Sequence, residues 1–129
     1  ALEKLTELTD LYLQYNQLTE LPKGLEKLTK LERLHLGANQ LTDVKGLEKL
    51  TELTDLYLEY NQLIDVTGLE NLTQLTQLRL NGNQLTDLKG IEKLTQLTLL
   101  LLHTNPDLTK AQISELQKAL PKCRIFPKK

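Results

Sequence analysis

Few side chains in this sequence could do chemistry. His35 and His103 are the two histidines, the groups suited to general-base work or metal binding near neutral pH. Cys123 is the only cysteine and Ser114 the only serine, so these are the nucleophile candidates. A phosphate-cradling loop needs a lysine at fixed spacing from its glycines, and "LNGNQL" has neither the lysine nor the spacing. The clearest local pattern belongs to tyrosine. Residues 8–18 read "LTDLYLQYNQL" and return at 53–63 as "LTDLYLEYNQL", with Glu59 in place of Gln14. Tyr12, Tyr15, Tyr57 and Tyr60, all the tyrosines of the chain, lie in these two segments. Beside Asp10, Asp55 and Glu59 they form an amphipathic surface of the kind that anchors a protein partner.

A repeat positions these residues. Asn16, Asn39, Asn61, Asn83 and Asn105 are spaced by 23, 22, 22 and 22 residues, and Gly24, Gly46, Gly68 and Gly90 recur every 22. The extra residue falls between Asn16 and Gly24, where "LTELPKG" stands against "LTDVKG", and Pro22 is the candidate for it. Around each asparagine the frame is L-x-x-L-x-L-x-x-N. In L-x-L the leucines face one way and the middle residue the other, as in a short strand. The asparagine then sits at the turn leaving the strand, where its amide bonds backbone groups that no ladder reaches. The glycine permits a tight bend, and "GLEKL", "GLENL" and "GIEKL" suit a turn or a brief 3₁₀ segment. One unit cannot bury its leucines alone. Stacked units share a continuous core and join their strands in a parallel sheet.

At these residues the chain resembles the leucine-rich repeat family, over about residues 2–108. Units with "LTDV" or "LTDL" after the asparagine are similar to the short class of bacterial internalins. The first unit, with "LTELPKGL", resembles a 23-residue bacterial type. The resemblance implies an α/β leucine-rich repeat solenoid, with a parallel sheet on the concave face and short turns or 3₁₀ segments on the convex face. It also implies binding on the concave side.

Residues 109–127 read as a C-terminal helix–strand cap, so that residues 1–129 form a single leucine-rich repeat domain. Thr109, three residues before Gln112, opens a capping-box helix. Its buried side is expected to hold Ala111, Leu116 and Leu120, with Ile113 near the edge, and Pro121 ends it. Leu120, Cys123 and Ile125 lie 23 residues after Leu97, Leu100 and Leu102, so "CRI" reads as a sixth strand. Cys123 then takes a leucine slot, as a small buried hydrophobe and not a reactive thiol. At the other end Leu2 and Leu5 match Leu25 and Leu28, and no cap precedes them. An open end exposes leucines and a strand edge, which implies truncation or engineering, or packing against a second copy.

The frame sorts the outward residues into columns. The middle of L-x-L gives Tyr12, His35, Tyr57, Arg79, Leu101 and Arg124. Two positions earlier stand Asp10, Arg33, Asp55, Gln77 and Leu99. Two positions later come Gln14, Gly37, Glu59, Asn81 and His103, followed by Tyr15, Ala38, Tyr60, Gly82 and Thr104. With neighbouring strands about 4.8 Å apart, Tyr12 and Tyr57 fall about 10 Å apart with His35 between them. The candidate partner-binding residues are therefore Tyr12, Tyr15, His35, Tyr57, Glu59, Tyr60 and Arg79. Leu99, Leu101 and His103 form a second candidate, because leucine replaces polar or aromatic groups there; the capping tail could also fold over them. Cross-strand stacking of Tyr and His stabilises a sheet whether or not it binds anything. Duplication of a two-unit cassette would likewise copy outward residues without a function.

The same columns weigh against catalysis. His35 and His103 are three strands apart, about 14 Å, too far to share one metal. Ser114 is on the cap helix and Cys123 points inward, so no nucleophile has a histidine in register. Asp10 and Asp55 flank Arg33, which makes a charge ladder out of a carboxylate pair. No enzymatic activity and no cofactor are expected.

Sixteen basic and 17 acidic residues leave a net charge of −1, without the basic footprint of a nucleic-acid binder or a polybasic membrane anchor. The longest apolar run, Leu99–Leu102, is far short of the roughly 20 residues that span a bilayer. The first residues lack a signal-peptide pattern, as those of a mature secreted chain also would. With no Met, no Trp and a single Phe, the core must be aliphatic. Two functions fit: a protein-interaction module using the concave face, or a designed or consensus repeat scaffold with no ligand of its own. The near-identical units favour the scaffold; the outward tyrosines favour the module. Weak self-association would use the open N-terminal edge or Leu99 and Leu101.

Overall fold

Leucine spacing turns each unit into one coil around a shared core. In the computed structural model, which describes residues 2–127, every unit contributes a three-residue strand: β1 (Asp10–Tyr12), β2 (Arg33–His35), β3 (Asp55–Tyr57), β4 (Gln77–Arg79) and β5 (Leu99–Leu101). Helix α1 (Lys110–Ala119) and strand β6 (Arg124–Phe126) follow. Ala1, Lys128 and Lys129, at the ends of the expected 1–129 unit, lie outside the described residues. The six strands form one parallel sheet in chain order, β1 to β6. Leu11, Leu34, Leu56, Leu78, Leu100 and Ile125 follow one another across it in register.

Period two sends those residues inward and their neighbours outward. Leu34, Leu36, Leu56, Leu58, Leu78 and Leu80 have no solvent exposure. Burial of each such side chain favours folding by about 1.5–3 kcal/mol. In the first unit Leu8, Leu11, Leu13 and Leu18 are only half-buried, and Leu5 is exposed. Among the described residues no strand lies outside β1.

The polar part of the frame closes the coil. Asn83 donates from Nδ2 to the carbonyls of Leu58 (3.1 Å) and Leu80 (3.0 Å), while its Oδ1 accepts from the Leu63 N–H at 3.0 Å. Asn39, Asn61 and Asn105 repeat this bridging between units. Each amide therefore ties the turn of its own unit to the unit before it. Ahead of the strands a second ladder runs through threonine: Thr76 Oγ1 donates to Thr54 O, and Thr98 Oγ1 donates to Thr76 O. On the convex side short 3₁₀ segments form at Leu25–Lys27 and Ile91–Lys93, the second entered through Gly90 at φ 104°.

Two details depart from the sequence expectations, neither of them in the longer first turn, where Leu21 packs on the core as Val44 does and the Pro22 carbonyl accepts from Leu25 N–H as that of Val44 does from Leu47 N–H. In α1, Ile113 and Leu116 are buried and Ala111 is exposed, because the helix presents its larger side chains to the last coil. The expected capping box is present, with Thr109 Oγ1 accepting from Gln112 N–H at 3.1 Å and Gln112 Oε1 from Thr109 N–H. Finally, β6 is shifted by two residues. Ile125 pairs with Leu100, so Phe126 and not Arg124 continues the column after Leu101, and Arg124 stands beside Leu99. Isoleucine fills the core slot better than cysteine, and Cys123 enters just before the strand. It is still buried, and burial pushes its thiol pKa up to about 11.

Candidate functional site

The outward columns become a packed strip on the concave face. The Tyr12 ring stacks on the His35 imidazole, with centroids 4.2 Å apart and planes 12° from parallel. Tyr57 meets His35 edge to face at 4.4 Å, and the Arg79 guanidinium carbon lies 4.1 Å from the Tyr57 ring centre. Four neighbouring strands thus build a continuous Tyr–His–Tyr–Arg run. Tyr57 Oη donates to Gln77 Oε1 at 3.2 Å. The expected charge ladder is half formed: Arg33 reaches Asp10 at 3.4 Å, whereas Asp55 accepts from the Thr54 hydroxyl.

Beside this run is a cavity of about 450 Å³. Tyr15, His35, Tyr57, Glu59, Tyr60 and Arg79 line it, so six of the ten residues singled out in the sequence come together. Tyr12 adjoins them through its stack on His35. Burial, the largest influence, holds the His35 pKa below the usual imidazole value; the Arg79 charge acts in the same direction and Glu59 in the opposite one. A neutral imidazole therefore sits in the wall at pH 7.

Leu99, Leu101 and His103 stand apart from the cavity, at the far end of the sheet. They are half-buried, and Arg124 and Phe126 of β6 stand beside Leu99 and Leu101 in register, so the leucines border a mixed edge.

Gln14, Gly37 and Ala38 also line the cavity, beyond the candidates that the outward columns name. Gly37 matters because it has no side chain. A β-carbon there would stand 2.7 Å from Glu59 Cδ, so the carboxylate lies in the space that glycine leaves. In the next pair of units a β-carbon at Gly82 would run into the Tyr60 ring. A signal existed in the sequence: Gly37 interrupts a column otherwise made of Gln, Glu, Asn and His.

Tyr15 and Tyr60 occupy the left-handed turn just before Asn16 and Asn61, at φ 61° and 56°. Ala38, Gly82 and Thr104 hold the same conformation in other units, so the turn belongs to the repeat and the tyrosine does not. Tyr15 is 84% exposed, Tyr12 59% and Tyr60 56%. Among the described residues, no cluster of three His, Cys, Asp or Glu side chains is arranged to hold a metal ion, and no helix is long and apolar enough to cross a membrane.

Comparison with known proteins agrees with this architecture. The family model for the leucine rich repeat matches residues 6–63. An internalin from Listeria monocytogenes superposes over 95% of the chain with a TM-score of 0.86 at 32% identity. A leucine-rich repeat protein of Leptospira interrogans does so over 95%, with a TM-score of 0.88 at 36% identity. The chain spans 35% and 32% of the lengths of these two structures, about a third of each. A second Listeria internalin matches over 96% of the chain and 62% of its own length, at 28% identity and a TM-score of 0.70. No curated relative matches. With its registered frame, its single parallel sheet and its bridging asparagines, the chain has the leucine-rich repeat fold of these proteins.

Proposed function

We propose that this chain is a protein-interaction module that binds its partner through the concave strip of Tyr12, Tyr15, His35, Tyr57, Glu59, Tyr60 and Arg79. Leucine-rich repeat proteins generally mediate protein–protein contacts and are typically not enzymes. The observation that carries the assignment to this face is the backbone of Tyr15 and Tyr60. A left-handed conformation costs an L-residue other than glycine roughly 1–2 kcal/mol. The Tyr15 ring is 84% exposed and recovers little of that by packing. Neither the core nor the turn calls for tyrosine at these two positions, and contact with a partner does.

Three exposed tyrosines beside the half-buried Tyr57, with Arg79 in the same wall, match the make-up of energetically dominant interface residues. Leu99, Leu101 and His103 serve as a secondary contact at the end of the same face. Once a partner has been captured and identified, its affinity is to be measured by calorimetry for the native chain and for Tyr12→Ala/Tyr15→Ala/Tyr60→Ala. A loss of tenfold or more with unchanged melting supports the module. An unchanged affinity refutes this surface, and a chain that captures no specific partner fits the scaffold reading.

A further inference from the structure

One row of the concave face is short of hydrogen-bond donors. Gln14, Gly37, Glu59 and Asn81 follow one another across the first four units, two positions beyond the Tyr–His–Tyr–Arg run. Each of the three with an oxygen in its side chain has one buried and unpartnered: Gln14 Oε1, Glu59 Oε1 and Asn81 Oδ1. The only other buried, unpartnered side-chain atom among the described residues is a single donor, Arg79 Nε. A buried acceptor left without a donor is destabilising, and more so if charged. Three in one row leave acceptor capacity on this face that no side chain of the described residues takes up.

Two of the three, Gln14 and Glu59, line the 450 Å³ cavity on either side of Gly37. The terminal torsion of Gln or Glu is broad, so a modest rotation turns each buried oxygen toward the cavity. The facing walls are aromatic. Arg79 already lies over Tyr57, which shows how a cation is accommodated on this surface and leaves the Tyr15 and Tyr60 rings for another.

Resting on the reading of the concave face as the partner surface, we infer that the cavity receives a basic side chain, arginine or lysine, of the partner protein. Its aliphatic stem lies along the Tyr15 and Tyr60 rings, and its donors are taken up by Glu59 and Gln14. Both residues carry the same chemistry, a cation with several donors on an apolar stem, and probes separate them.

The test needs no identified partner. The intact chain is titrated by NMR with the Nα-acetyl methylamides of arginine and lysine, and with those of citrulline and Nε-acetyl-lysine as their neutral counterparts. The expected result is saturable shifts at the Gly37, Ala38, Glu59 and Tyr60 amides for at least one charged probe. Its neutral counterpart should bind roughly tenfold more weakly. Glu59→Gln should abolish that difference while the spectrum stays folded, and Gln14→Glu should tighten the charged probe at low salt. No shifts from either charged probe, or equal binding of charged and neutral probes, overturns the inference. So does a charge preference that survives Glu59→Gln. Such a failure leaves the concave face standing if an identified partner still depends on Tyr12 and Tyr15. Indifference of that partner to the tyrosines sinks the broader reading on its own.

Discussion

Tyr12 and His35, 23 residues apart in sequence, lie face to face across β1 and β2 with ring centroids 4.2 Å apart. Such a stack contributes about 0.5–1.5 kcal/mol beyond the area it buries. It also makes the first strand pair sensitive to pH. The His35 pKa is below its ordinary value, chiefly through burial, so the unfolded chain binds the proton more readily than the folded one. The sign follows: the stabilising contribution of neutral His35 is fully present above about pH 6.5 and is lost as pH falls toward the lowered folded value. Urea titrations of the native chain and of His35→Gln should differ by about 0.5–1.5 kcal/mol at pH 7.5, and the gap should shrink toward pH 5. A gap that widens on acidification contradicts this.

The bridging asparagines should be costly to replace, and unequally so. Asn83 is 3% exposed and satisfies two carbonyls and one N–H belonging to two units. Asn83→Ala strands those groups in the interior, with an expected loss of about 3 kcal/mol or more. Asn16 is exposed, and its bonds go only to Leu13 and Gln14 of its own turn. Asn16→Ala should cost under about 1 kcal/mol. Chemical denaturation of both variants decides it, and equal losses would show that the ladder is not what holds the units in register.

Tyr15 offers a test in which stability and binding move apart. At φ 61° with an 84% exposed ring, the side chain gives the fold little and its backbone is held in an unfavourable region. Tyr15→Gly relieves that conformation while making the unfolded chain more flexible, so stability should rise or stay within about 1 kcal/mol. Partner affinity should fall. A denaturation midpoint that drops by more than this would show that Tyr15 serves the fold.

Much of the molecule was legible in the leucine intervals. The positions of Leu34, Leu56 and Leu78 determine which residues share the core, and hence that Tyr12, His35, Tyr57 and Arg79 share a column. The order of the strands followed as well, because each unit can cover its neighbour's leucines only by stacking next in line. Less legible was β6, where the frame breaks. Counting placed Cys123 opposite Leu100, while the packed cap brings Ile125 there, since volume and not spacing selects the residue that fills a core slot.

By itself, then, the order of amino acids determined the inward and outward sets and the neighbours within each column, because strand alternation and a 22-residue period are local rules repeated along the chain. Only the tertiary structure decided how outward side chains lean: Glu59 into the room left by Gly37, Tyr60 over Gly82, and Arg79 onto Tyr57. Those contacts join residues of adjacent units. They depend on rotamers and on missing β-carbons, neither of which has a period to read.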